Sequence, residues 1–262
     1  MVVYYKEIRM KKSSGFKPPV MRDNQYNVVY GVHPVTELLR QKRRKVYDIY
    51  ILSPEPKIWE SIKVLLPVYP VNIHRVSRDI LAQKSGTTDH QGLVAFTAPF
   101  PYRKKFFDKT IHKFLLLLDG IQDVRNLGAI IRSAYCTGVD GVILCRRQGA
   151  ELTAAALKSS AGLAERMEIY EAPSIGFALQ ELRMSGHAVY VTALGGKTAL
   201  SAVEFKKPLC VIVGNEGDGV SPESKKAGTV ITLPQRTADI SYNASVAAGI
   251  VLFTIAYGRD SQ

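Results

Sequence analysis

The sequence predicts an α/β fold in two parts. A small basic α/β module precedes a larger domain built on a mostly parallel sheet with helices on both faces. Three observations predict it. Strand-like and helix-like segments alternate along nearly the whole chain, the pattern that yields parallel sheets. The run Phe114–Leu118 is apolar without alternation, as in a strand buried on both faces. The formal charge of +12 over 262 residues is unevenly divided: residues 1–110 hold 20 Lys and Arg against 9 Asp and Glu, whereas residues 111–262 hold 15 against 14.

The elements follow in order. Residues 1–25 read as a basic flexible tail, because Lys11, Lys12, Ser13, Ser14, Gly15, Lys17, Pro18 and Pro19 bury too little apolar surface to offset ordering. Residues 26–98 form the first module. Gly31–Lys42 reads as a helix with Val35, Leu38 and Leu39 on one face. Val46–Leu52 is a strand, Ile58–Leu66 a helix, Val71–Val76 a strand, Ile80–Lys84 a short helix and Gly92–Thr97 a closing strand. Residues 99–110, with Pro99, Pro101, Arg103, Lys104 and Lys105, read as a linker.

Residues 111–262 form the second domain. Phe114–Asp119, Gly141–Cys145, Ala188–Ala193, Leu209–Val213 and Val230–Leu233 read as strands. Ala129–Thr137, Thr153–Ser160, Ile175–Ser185, Pro222–Ala227 and Asn243–Tyr257 read as helices, the fourth started by Ser221 as N-cap.

Composition excludes several classes. No apolar stretch approaches the eighteen or so residues of a membrane span. Met1–Tyr5 is followed at once by Lys6, Glu7 and Arg9, so no secretory apolar region is present, and a cytoplasmic protein is expected. Cys136, Cys145 and Cys210 have no metal-type spacing; an odd number of isolated thiols in apolar contexts fits packed, reduced cysteines. No His or Cys cluster suggests a metal. The basic first part suits a polyanion, and Arg40, Arg43, Arg44 and Lys45 form a candidate phosphate-contact patch. Those cations equally complement the C-terminal end of a helix.

Three polar, glycine-containing loops follow strands: Asp119–Gly128, Gly214–Val220 and Pro234–Asn243. Ligands of such sheets bind at the carboxyl ends of strands. The glycines at 214, 217 and 219 lack dinucleotide spacing, and no phosphate-cradling Gly-Lys-Ser follows.

The residues resemble a known family. Asn126-Leu127-Gly128-Ala129-Ile130-Ile131-Arg132-Ser133-Ala134, then Ile212-Val213-Gly214-Asn215-Glu216-Gly217, then Leu233-Pro234 with Ser241-Tyr242-Asn243-Ala244-Ser245-Val246-Ala247-Ala248-Gly249 are similar to the three motifs of the SpoU/TrmH ribose 2′-O-methyltransferases of the SPOUT class. The match spans about 150 residues in the right order. Val29-Tyr30-Gly31-Val32-His33-Pro34-Val35 and Asp89-His90-Gln91-Gly92 resemble, more loosely, the RNA-binding module of the rRNA guanosine-2′-O-methyltransferases.

The resemblance implies a trefoil-knot methyltransferase domain, S-adenosylmethionine as methyl donor, and a homodimer whose active site uses both chains. The implied substrate is structured RNA, above all large-subunit rRNA. Transfer RNA, or a non-catalytic role in ribosome assembly, are the alternatives. Arg132 matches the family's catalytic arginine. A guanidinium stays protonated, so its expected work is to position a phosphate and stabilise an emerging alkoxide. Asn126 is expected to orient Arg132 or the ribose, and Glu216 to fix Arg132 by a charge-assisted bond. Ser241 and Asn243 are expected to contact substrate, although either can cap the last helix. Gly214 is expected to let backbone approach the ligand. Ala193, Leu194, Leu233 and Tyr242 are expected to border the adenine. Tyr242 departs from the leucine common there, and Gln235-Arg236-Thr237 is also atypical.

Overall fold

A computed structural model describes residues 27–196, 198–236 and 241–258. The expected tail, residues 1–25, lies outside them, as does part of the third loop, Thr237–Ile240. The chain divides between Pro101 and Tyr102 into two compact units.

The first unit runs β1 (Asn27–Tyr30), α1 (Val32–Gln41), β2 (Val46–Leu52), α2 (Trp59–Lys63), β3 (Asn72–Val76), α3 (Arg78–Ser85) and β4 (Leu93–Thr97). Its sheet has the order β1-β4-β2-β3, with β4 antiparallel to both neighbours and β2 parallel to β3. Val35, Leu38 and Leu39 of α1 are buried, as their spacing predicts, and Ile49 and Ile51 of β2 are fully buried. β1 was not expected; four residues are too short to establish a period, and pairing with β4 makes the strand. The expected helix 58–66 shortens to α2, since Trp59 and Ile62 are buried whereas Val64 is 76% exposed. The two loosely matched motifs meet at one turn. Gly31 N–H donates to the Leu93 carbonyl at 3.0 Å, and Val32 N–H donates to Gln91 Oε1 at 3.1 Å.

The second unit runs β5 (Phe114–Asp119), α4 (Val124–Cys136), β6 (Gly141–Cys145), α5 (Ala154–Ser159), β7 (Ile169–Ala172), α6 (Ile175–Ser185), β8 (Ala188–Thr192), β9 (Thr198–Ala199), β10 (Leu209–Gly214), α7 (Pro222–Lys225), β11 (Thr229–Thr232) and α8 (Ala244–Tyr257). Its seven strands lie in the order β7-β6-β5-β10-β8-β11-β9, and every pair is parallel. Leu115 and Leu117 of β5 pack in one core with Ile143, Cys210 and Ile212 and with Ile175, Ala178 and Leu182 of α6. Leu116 and Leu118 alternate to the opposite face, and both are buried. The chain steps from β10 past β8 to β11, and α8 then returns to pack on α4.

Three expectations are corrected. The stretch 99–110 is built into the units. Phe100 is buried and its N–H donates to Asn27 Oδ1 at 2.9 Å. Arg103 N–H donates to the Ile169 carbonyl at 2.8 Å, and Phe107 lies in the second core. The reason is the apolar surface of these phenylalanines, which outweighs the flanking prolines and lysines. Second, α4 begins at Val124, because Asp123 Oδ1 accepts from Arg125 N–H at 2.7 Å and caps it; Asn126 is therefore helical. Third, Cys136 is exposed, while Cys145 and Cys210 are buried. β7 and β9 were also not expected. Among the described residues no helix is long and apolar enough to cross a membrane.

Candidate active site

The carboxyl ends of β8, β10 and β11 and the start of α8 enclose a cavity of about 320 Å³. That size suits a small-molecule ligand. Ala193, Leu194, Val213, Leu233, Tyr242 and Ala247 give it apolar walls, while Glu216, Asp218 and Ser241 add polar groups.

Gly214 ends β10 where the chain reverses. Asn215 N–H donates to the Gly219 carbonyl at 3.1 Å, and Asn215 Oδ1 accepts from the N–H groups of Gly217 at 2.9 Å and Asp218 at 2.7 Å. A Cβ on Gly214 would stand 2.2 Å from the Gly219 carbonyl carbon. Closure of this loop on itself therefore requires a glycine here, a reason for Gly214 that the sequence did not show. Below the loop, Asp119 is buried and its Oδ2 accepts from Ser221 N–H at 2.7 Å and Ser224 Oγ at 2.6 Å. The carboxylate thus ties the end of β5 to α7 and holds the base of the loop.

Asn126, Glu216 and Asn243 converge from three separate segments. Asn126 Nδ2 donates to Glu216 Oε1, and Asn243 Nδ2 donates to Asn126 Oδ1 at 3.2 Å. Asn243 also caps α8, with its Oδ1 accepting from Ser245 N–H at 2.9 Å. Of the two expected capping candidates, Asn243 caps and Ser241 lines the cavity. The expected Glu216–Arg132 bond is replaced by the Glu216–Asn126 bond. Arg132 lies six residues beyond Asn126 on α4, about 9 Å along the axis and about 120° around it. It is exposed, does not line the cavity and has no hydrogen-bond or ion-pair partner among the described residues. Arg125, two turns earlier, shares its helix face.

All five expected cofactor residues, Ala193, Leu194, Gly214, Leu233 and Tyr242, line the cavity. Tyr242 is half-exposed, and its hydroxyl reaches the Pro234 carbonyl at 3.5 Å. The basic patch of the first unit is less uniform than expected. Arg40 pairs with Glu37 at 2.9 Å. Arg43 lies 5.8 Å from the Phe100 ring centre. Lys45 is exposed beside the rings of Tyr47 and Tyr69. Arg44 is only 6% exposed, with Nη1 donating to Asn27 Oδ1 and the Ala98 carbonyl, both at 3.2 Å. It is corrected from a phosphate contact to an internal strut, because those acceptors draw its guanidinium inward.

Sequence reasoning missed Asp119, Asn215 and Ser224. A carboxylate closing the uniformly apolar run 114–118 was the available signal, since a buried acid needs donors nearby.

Residues 113–253 match the model of the SpoU rRNA Methylase family, and residues 28–103 match the model described as RNA 2'-O ribose methyltransferase substrate binding. The chain is 30% identical to the 23S rRNA (guanosine-2'-O-)-methyltransferase RlmB of Shewanella oneidensis, over 90% of this chain and 98% of that protein. It is 32% identical to an uncharacterized tRNA/rRNA methyltransferase of Mycolicibacterium paratuberculosis, over 92% of this chain and 80% of the relative. Among solved structures, the SpoU methyltransferase AviRb of Streptomyces viridochromogenes superposes with a TM-score of 0.77 at 20% identity, covering 92% of this chain and 91% of that one. The AdoMet-bound rRNA methyltransferase of Sinorhizobium meliloti does so with a TM-score of 0.77 at 21% identity, covering 91% and 90%. At these identities the two superpositions establish the shared fold.

Proposed function

The chain belongs to the SpoU rRNA methylase family, and from that premise we propose that it transfers the methyl group of S-adenosylmethionine to the ribose 2′-hydroxyl of a guanosine in large-subunit rRNA. One observation carries the reading at residue level. Asn126, Glu216 and Asn243, distant in sequence, form one hydrogen-bonded chain beside the cavity that all five expected cofactor residues line.

The lining fits the donor. Apolar side chains suit an adenine, and the carboxylates of Glu216 and Asp218 suit a ligand carrying positive charge. Bound there, S-adenosylmethionine supplies an activated methyl group. Leu233 and Tyr242 would flank its base, and the loop 214–219 would border its charged end. The work of Arg132 is to hold the phosphate next to the target ribose and to stabilise the 2′-oxygen as its proton leaves to phosphate or water. The Glu216–Asn126–Asn243 chain keeps the two sides of the site in register.

Arg132 lies off the cavity of its own chain, which supports a homodimer in which one subunit offers its arginine to the partner's site. The exposed apolar stripe Val246, Ile250, Phe253 and Tyr257 on α8 supports the same assembly. The match of residues 28–103 to a substrate-binding module supports RNA as the partner of the first unit. An rRNA substrate is consistent with a cytoplasmic enzyme.

The test is methyl incorporation into large-subunit rRNA followed by mass spectrometry of the ribose. Replacing the target with its 2′-deoxy form abolishes incorporation. Methylation that survives this replacement refutes the reading, and methylation of transfer RNA alone reassigns the substrate.

A further inference from the structure

We infer that the stacked pair Tyr50–His74, at the outer edge of the first unit's sheet, is a nucleobase-stacking subsite for one unpaired base of the RNA. The inference rests on the proposed function for the identity of the polynucleotide.

β3 is the edge strand of the order β1-β4-β2-β3. Tyr50 and His74 are register partners on β2 and β3. Their rings are nearly parallel, with centres 4.4 Å apart and planes at 17°. The imidazole is clamped rather than free to turn. His74 Nε2 is bonded to Asp48 Oδ1 at 2.8 Å, and the same oxygen accepts from Asn72 Nδ2 at 3.2 Å. Lys84 places its ammonium 5.1 Å from the centre of the Tyr50 ring.

Here the outer side chain, His74, keeps 31% of its surface exposed, and Asp48 keeps 28%. His74 stands on the last strand of the sheet, so no further strand flanks it on the side away from Tyr50. A flat ring arriving there continues the stack to a third member.

Protein rings capture unpaired bases in this way, tolerantly of sequence, whereas paired bases hide their faces in the duplex. The Asp48 carboxylate beside the stack retains acceptor capacity for an exocyclic amino group. Lys84 adds a positive charge for the flanking backbone.

The full-length protein is titrated with a fluorescent hexamer of adenosine nucleotides and with a hexamer of the same backbone lacking bases. The wild type prefers the base-bearing hexamer by about ten-fold. His74→Ala reduces that preference to within about two-fold, and His74→Phe, which keeps a ring, restores it. A preference unchanged in His74→Ala, or lost equally in a folded His74→Phe, overturns the inference. Calorimetry with S-adenosylmethionine and the rRNA methylation assay are run in parallel. An active enzyme whose base preference ignores His74 loses this subsite alone. A protein without donor binding or methylation, but with a His74-dependent preference, loses the proposed activity and keeps the subsite.

Discussion

Gly214 has no room for a methyl group, because the loop it begins folds back within 2.2 Å of where a Cβ would stand. Gly214→Ala forces the loop open at a cost of about 1–3 kcal/mol. Calorimetry is expected to read at least a ten-fold loss in donor affinity, together with a lower Tm. Arg132 makes the opposite case, since it is exposed and partnerless among the described residues. Arg132→Ala is expected to leave Tm and donor binding unchanged while turnover falls by roughly 10²–10³. Full activity in that variant removes Arg132 from the mechanism. His187 titrates structurally. Its Nε2 donates to the His112 carbonyl at 2.9 Å, and its Nδ1 accepts from Ser185 Oγ at 2.7 Å. Burial above all, with the nearby charges of His112, Lys109 and Lys113, pushes its pKa below the ordinary 6.5, against the pull of the carbonyl bond. The folded state therefore binds its proton less readily than the unfolded chain does. The stabilisation is complete above pH 6.5 and is lost as pH falls through the folded value. Chemical denaturation at pH 7.5, 6 and 5 is expected to show this slope in the wild type and a shallower one in His187→Asn.

At the scale of elements, the site depends on how helix and strand ends are tied. Asp119 joins β5 to α7 through two hydrogen bonds from a buried position. Asp119→Ala leaves buried donors unpaired, at about 1–3 kcal/mol, and is expected to lower both Tm and donor affinity. An unchanged donor affinity would separate this anchor from the loop above it. The capping residues follow the same logic. Asp123 starts α4 early enough to bring Asn126 into the helix, and Asn243 starts α8 while reaching Asn126. Most elements could be read from periodicity: β2, β5, β6 and α6 occupy the expected residues. β1, β7 and β9 were missed; they hold two to four residues each, and pairing with β4, β6 and β11 makes them strands.

At the scale of the molecule, two units divide the work. The first is basic and matches a substrate-binding module; the second holds the cavity. The exposed stripe on α8 belongs to neither core, and Phe253 is 60% exposed within it. Phe253→Glu places a charge in the proposed seam. Sedimentation is expected to show a monomer with its fold intact and turnover lost, because Arg132 then has no partner site. A dimeric Phe253→Glu protein would move the seam elsewhere.

The sequence by itself determined the α/β class, the charge division and the motifs of the family, and it singled out five residues that line the cavity. These are local properties, since periodicity, composition and short motifs survive in a linear string. Only the tertiary structure decided what those residues touch. It drew Arg44 inward, gave Glu216 to Asn126 rather than to Arg132, assigned the α8 cap to Asn243, and explained Gly214 by loop closure. These outcomes turn on which atoms packing brings within contact distance: the Glu216–Asn126 bond joins segments 90 residues apart, while the Arg44 bonds reach across 17 and 54 residues.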